Sequence, residues 1–169
     1  GGVGMGKTAC ADLIQKRGIP VIDTDNVARQ LVEPGQPALS EVQQAFGAEI
    51  VGSDGRLRRD LLAKRVFGDP QARRQLEAIL HPRIRQLWLA RAQTWRTNNL
   101  PLAVVVIPLL FETKAETEFD AALCVASSPQ TQLTRLRSRG WSEEQIAQRI
   151  AAQLPVEQKI AKSTYVIWT

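Results

Sequence analysis

Residues 1–8 read Gly1-Gly2-Val3-Gly4-Met5-Gly6-Lys7-Thr8, a full match to the pattern G-x-x-x-x-G-K-[ST]. Glycine tolerates backbone angles that turn successive N–H groups inward onto the oxygens of an anion. A helix is expected over about 7–17, with Ala11, Leu13 and Ile14 as apolar positions and Gly18 just beyond, and its positive end faces the same anion. Lys7 has the reach for the β- and γ-phosphates of a nucleotide, and the Thr8 hydroxyl suits Mg²⁺. A glycine-rich turn can match such a pattern by chance. Here an amphipathic helix follows in the right place, and nucleotide binding is the reading.

Such loops join a strand to a helix. The natural protein is therefore expected to begin before Gly1, and to run past Thr169, because Tyr165–Trp168 reads as a strand that ends one residue from the last. A strand before Gly1 would be central in the sheet, so this stretch alone is expected to fold poorly.

Working outward, Ile19–Ile22 is a short strand ending in Asp23-Thr24-Asp25, and a helix is expected from about Asn26 to Val32. Residues 37–99 read as mostly helical, with a small hairpin turn at Asp54-Gly55 and a helix start at Asp69-Pro70. Leu102–Ile107 is apolar and β-branched without alternation, as expected of a parallel strand covered on both faces. Ala121–Ala126 is the next strand. Ser128-Pro129 opens a helix stopped by Gly140, and Ser142 with Gln145 has the form of a capping box. Strands alternating with helices predict an α/β fold with a doubly wound parallel sheet. The insert at 35–99 reads as a helical subdomain and 128–154 as a helical hairpin that suits a lid, around core segments 1–34, 100–127 and 155–169.

Bulk properties narrow the function classes. The 169 residues suit one domain with a real core, and the longest apolar run, Leu102–Leu110, contains a proline and is too short to span a bilayer. Cys10 and Cys124 form no disulfide framework or metal spacing, which fits a reducing cytoplasm. His81 is the single histidine, too few for a histidine-based zinc site. A net charge of +5 favours anionic partners, but aromatic residues are 5% and the arginines are dispersed, so a nucleic-acid platform is poorly supplied.

Asp23 and Asp25 stand at a strand end, the edge where ligands bind in doubly wound sheets. Taken alone the pair reads as helix caps. Beside a complete phosphate loop, Asp25 is the choice for a base that orients an acceptor hydroxyl and takes its proton. No carboxylate closes the 102–107 strand and no N-K-x-D guanine signature occurs, which argues against motor ATPases and GTPase switches. Arg135 and Arg139, four apart, are expected on one face of a helix, with Arg149 on the next. A lid over ATP and a solvated basic face both fit that spacing. His81-Pro82 reads as a helix boundary imposed by proline.

These motifs in order resemble the dephospho-CoA kinase family over nearly the whole chain. The likeness rests on the phosphate loop, Val21–Asp25 with Ala28-Arg29, Phe46-Gly47, Asp54-Gly55 with Arg59, Val66-Phe67, and Leu76-Glu77 with His81-Pro82. It continues through Pro108-Leu109-Leu110-Phe111-Glu112, Gln132 with Arg135 and Arg139, then Gln153 and Lys159. The resemblance implies a P-loop NTPase-type kinase that phosphorylates the ribose 3′-hydroxyl of dephospho-CoA with Mg²⁺ and ATP. It implies Asp25 as base, Lys7 as the loop lysine and Arg139 as a lid arginine. By the same resemblance, ATP contacts are expected from Gly2, Val3, Gly4, Met5, Gly6, Lys7, Thr8, Ala9 and Arg135. Acceptor contacts are expected from Asp23, Asp25, Arg29, His81, Pro108, Leu109 and Glu112. Met5 stands where the family usually has a small residue, and Ser163-Thr164 and Trp168-Thr169 replace a usual Ala-Asp and a polar pair near the adenine end.

Two rivals remain. Another small-molecule kinase, acting on shikimate or gluconate, can show a similar acidic pair, though the long helical insert suits a larger acceptor. A nucleotide-binding module without kinase activity would share the loop and ignore Asp25.

Overall fold

The computed structural model describes residues 1–169, with Phe67 described for its backbone only; its side chain, part of the Val66-Phe67 pair quoted above, lies outside the described residues. In chain order the elements are α1 (Lys7–Lys16), β1 (Val21–Asp23), α2 (Thr24–Leu31), α3 (Pro37–Phe46), α4 (Arg59–Phe67), α5 (Pro70–Thr97), β2 (Val104–Val106), β3 (Leu123–Ala126), α6 (Pro129–Arg137), α7 (Glu143–Ala151), α8 (Val156–Ala161) and β4 (Tyr165–Trp168). Short 3-10 turns occur at Ala48–Ile50 and Glu116–Glu118. The class is α/β, as the alternation of patterns predicts. The chain divides into two compact units, Gly1–Val21 with Val106–Thr169, and Ile22–Val105.

In the first unit, β3 and β4 pair in parallel, with Leu123 opposite Tyr165 and Ala126 opposite Trp168. Cys124, Val125 and Ala126 are buried, whereas β4 is exposed along its length. Helices α6 and α7 form a hairpin whose ends are set by local chemistry. Ser128 Oγ accepts the Thr131 N–H at the start of α6, and Ser142 and Gln145 exchange both bonds of the anticipated capping box on α7. The turn between them passes through Gly140 at φ 76°, and an Arg137–Glu143 ion pair of 2.7 Å spans it. Arg137 is the last helical residue of α6. Arg139 therefore lies past the helix, in the turn, and the expected shared face with Arg135 does not reach it. The helix stops early because the Arg139 and Gly140 amides turn to the Leu136 and Arg137 carbonyls, three residues back, as the chain swings into the left-handed region at Gly140.

The second unit is mostly helical. Leu39, Val42 and Phe46 recur on one face of α3 and bury together with Val32, Ile50 and Leu62. Each such side chain contributes about 1.5–3 kcal/mol on removal from water. Leu76, Ile79 and Leu80 of α5 pack against this cluster. The Asp54-Gly55 hairpin forms as expected, with Val51 bridging Leu57 and Gly55 at φ 74°. β1 and β2 pair as a two-stranded sheet, and Val104–Val106 is half-buried rather than fully covered.

Pro82 corrects the sequence expectation. Helix α5 runs unbroken from Pro70 to Thr97 with Pro82 inside it. A proline here removes the bond to the carbonyl four residues back. The apolar positions Leu76, Ile79 and Leu80 before it and buried Trp88 after it hold both halves in register. Next to the lost bond, the Arg83 guanidinium donates to the Ile79 carbonyl at 2.6 Å and pairs with Glu41.

Candidate active site

The glycine-rich segment of residues 1–8 runs directly into α1, so the first amides of the helix follow the glycines without a break. Gly4 and Gly6 adopt φ 75° and 85°, where a side chain is strained. At Gly4 an added Cβ would stand 2.9 Å from Leu136 Cγ, so the glycine also lets α6 approach the loop. Met5 is buried, and its sulfur accepts the Ser127 N–H at 3.1 Å, just beyond β3. The bulkier residue is thus accommodated on the sheet side of the loop.

Both polar groups of Val3 are held within the protein. Its N–H donates to Gln153 Oε1 at 2.9 Å, and its carbonyl accepts Gln132 Nε2 at 2.7 Å. Lys7 Nζ donates to the Gly2 carbonyl at 2.7 Å, which keeps the ammonium folded back over the loop. Thr8 and Ala9 are exposed in the first turn of α1. Arg135 donates to Thr169 Oγ1 at 2.8 Å, and its guanidinium lies 3.3 Å from where a Gly6 Cβ would stand. The sequence-named ATP residues from Gly2 to Ala9 and Arg135 therefore share one neighbourhood.

Glu112 and Pro108 are drawn into a second network of the same unit. Lys159, 1% exposed, places Nζ 2.7 Å from Glu112 Oε1 and 3.1 Å from the Pro108 carbonyl. The same carboxylate oxygen accepts the Leu154 N–H at 2.8 Å. Burial works to raise the Glu112 pKa, but bonds from Lys159 and the Leu154 amide outweigh it and hold the carboxyl below its ordinary range. The Leu109 carbonyl accepts the Thr113 N–H and hydroxyl. On α7, the Arg149 guanidinium lies over the Trp141 ring, 4.2 Å from its centroid, and burial lowers its pKa.

Asp23, Asp25, Arg29 and His81 lie in the second unit. Asp23 Oδ1 accepts the Asp25 N–H at 2.8 Å and caps α2, which is why the helix begins at Thr24, two residues before its expected start. Asp25 is exposed in the first turn of that helix. Arg29 is exposed in its last turn, its carbonyl accepting from Arg59 at 3.3 Å. His81 is half-buried in α5. The unit also has an open apolar cavity of about 250 Å³ between Ala28, Val32, Leu57, Leu62, Leu76 and Leu80, with Arg59 as its charged lining residue.

Gln132, Gln153 and Lys159 entered the sequence reading as matched positions without a role. Each acts on a residue far away in the chain, so no local pattern marks what it does.

The dephospho-CoA kinase family model matches residues 1–169. The dephospho-CoA kinase of Anaeromyxobacter dehalogenans is 43% identical over 168 residues, covering 99% of this chain and 80% of the relative. That of Bdellovibrio bacteriovorus is 40% identical over 167 residues, covering 99% and 83%. A crystal structure from Thermus thermophilus matches with a TM-score of 0.84 at 34% identity, covering 99% of this chain and 84% of that one. The Campylobacter jejuni dephospho-CoA kinase shares the fold, with a TM-score of 0.69 at 23% identity over 97% of this chain and 82% of its own.

Proposed function

The chain belongs to the dephospho-CoA kinase family, and we propose that it transfers the γ-phosphoryl group of ATP to the ribose 3′-hydroxyl of dephospho-CoA, giving coenzyme A and ADP. The observation that carries this reading is the phosphate loop, with left-handed Gly4 and Gly6 leading into α1 beneath Lys7. We read the architecture as a P-loop core of 1–34, 100–127 and 155–169, an acceptor-binding insert at 35–99 and a lid at 128–154. The apolar cavity in the second unit supports a large, partly apolar acceptor over a small sugar acid.

In this reading the loop amides and Lys7 hold the phosphates, and Arg135 with Arg139 offsets charge on the transferring group. Asp25 orients the acceptor hydroxyl. As that oxygen bonds the γ-phosphorus, its proton passes to the Asp25 carboxylate and the bond to the bridging oxygen of ADP breaks. Asp23, Arg29, His81, Pro108, Leu109 and Glu112 shape the acceptor side. Thr8 would hold Mg²⁺. Among the described residues no group of three or more His, Cys, Asp or Glu side chains forms a cation cage. An exposed hydroxyl beside triphosphate fits the habit of Mg²⁺, which binds through few protein ligands and keeps several waters. When bound, it neutralises charge on the β- and γ-oxygens.

No helix among the described residues is long and apolar enough to cross a membrane. Both cysteines are free, which supports a cytoplasmic setting.

The test is ADP release from Mg-ATP with dephospho-CoA, comparing the unsubstituted protein with Asp25→Asn. Turnover that requires dephospho-CoA and falls about 10²–10⁴-fold in Asp25→Asn supports the reading. A folded, ATP-binding protein that transfers nothing to dephospho-CoA rejects it.

A further inference from the structure

We propose that Gln132 and Gln153 are positioning residues for ATP, fixing the phosphate loop by gripping the two peptide planes that flank the Val3 Cα. The inference rests on the reading of this loop as the ATP site. Gln153 takes the N–H on one side of Val3 at 2.9 Å, and Gln132 gives to the carbonyl on the other at 2.7 Å. Two planes held on either side of one Cα set its φ and ψ, and with them the direction of the Gly4 amide, which shares the second plane. One pair of bonds thus aims the entry to the cradle.

The grip comes from both arms of the α6–α7 hairpin. Gln132 is buried on α6, and Gln153 follows the end of α7. Each anchor is itself fixed. The Gln132 N–H donates to the Ser128 carbonyl, and Gln153 precedes Leu154, whose N–H is held by Glu112. Gly2 leaves room for the contact, since a Cβ there would stand 3.3 Å from Gln153 Oε1. Glutamine suits both places because it offers an acceptor or a donor without a charge beside the triphosphate. A glutamate at 153 would still accept from Val3 but would add a negative charge near the anion. The hairpin is consequently part of the loop's support as well as a cover.

The experiment measures ATP affinity by calorimetry without acceptor, then steady-state KM for ATP and for dephospho-CoA, in Gln132→Leu, Gln153→Leu and the double variant, with a thermal melt for each. Each single substitution is expected to weaken ATP binding about 5- to 10-fold, the loss of one neutral hydrogen bond. KM for dephospho-CoA stays within about twofold. The double variant loses little more than the worse single one, because either loss frees the same φ and ψ. Should a leucine variant fail to fold, Gln132→Glu keeps the size and polarity while turning an acceptor on the Val3 carbonyl, and the same loss is expected. Unchanged ATP affinity in folded variants, strictly additive losses, or equal rises in both KM values overturn the proposal. Transfer failing while ATP binds as expected rejects only the acceptor. An unsubstituted protein that does not bind ATP overturns both.

Discussion

Lys159 Nζ lies 2.7 Å from Glu112 Oε1, an ion pair whose cation is fully buried and whose carboxylate also holds the Leu154 amide. A buried ammonium is tolerated only while its partners are in place. Glu112→Leu leaves Lys159 with the Pro108 carbonyl as its remaining acceptor in this network. The expected cost is roughly 3–5 kcal/mol in denaturant unfolding. Replacing both, as Glu112→Leu with Lys159→Met, is expected to recover most of that loss. Costs that simply add would show that the two side chains do not act as a pair.

The same pair sets a pH dependence. The folded-state pKa of Glu112 is depressed, so its contribution is present above the ordinary carboxylate value and lost as pH falls through the folded-state value. Urea melts of the unsubstituted protein and Glu112→Gln are therefore expected to differ by a constant amount between about pH 6 and 8. The gap should narrow once the pH drops below about 4.3, the unperturbed glutamate value. A gap that widens on acidification would contradict the assignment.

Asp23 caps α2, and that role is separable from any contact with an acceptor. Asp23→Ala is expected to cost about 1 kcal/mol of stability, whereas Asp23→Asn retains an oxygen for the Asp25 amide and costs a few tenths. Paired melts and kinetics divide the two roles. Turnover that falls in Asp23→Asn at unchanged stability identifies a ligand contact, and unchanged turnover leaves Asp23 as a cap.

Pro82 sits inside a 28-residue helix at the expense of one backbone bond. Pro82→Ala returns that donor to the Ala78 carbonyl and is expected to raise stability by about 1–3 kcal/mol, read as a higher Tm. No gain, or a loss, would mean that the ring itself stabilises the turn it occupies.

What was legible in the sequence was local. The helix after Gly6, the Asp69 and Ser142 caps and the Asp54-Gly55 hairpin each involve residues within a few positions of one another, and all of these elements form. Even Asp23 showed its two readings at once, because a cap and a ligand ask for the same short acid. The failures came where distant packing outweighs a local preference. Pro82 should end a helix by its own geometry, yet the apolar face of α5 continues across it. Arg139 seemed to share a helix with Arg135 because spacing does not reveal that the last turn before Gly140 tightens to bonds three residues back. The grip of Gln132 and Gln153 on Val3, and that of Lys159 on Glu112, join segments with no sequence proximity at all. Charge alone pointed to anions without saying which.

The 169 residues contain one methionine, and it is the Met5 whose sulfur rests on Ser127. In protein grown with methyl-labelled methionine, this residue is an NMR probe placed inside the glycine-rich loop of residues 1–8, where nucleotide binding would be read as the displacement of its peak.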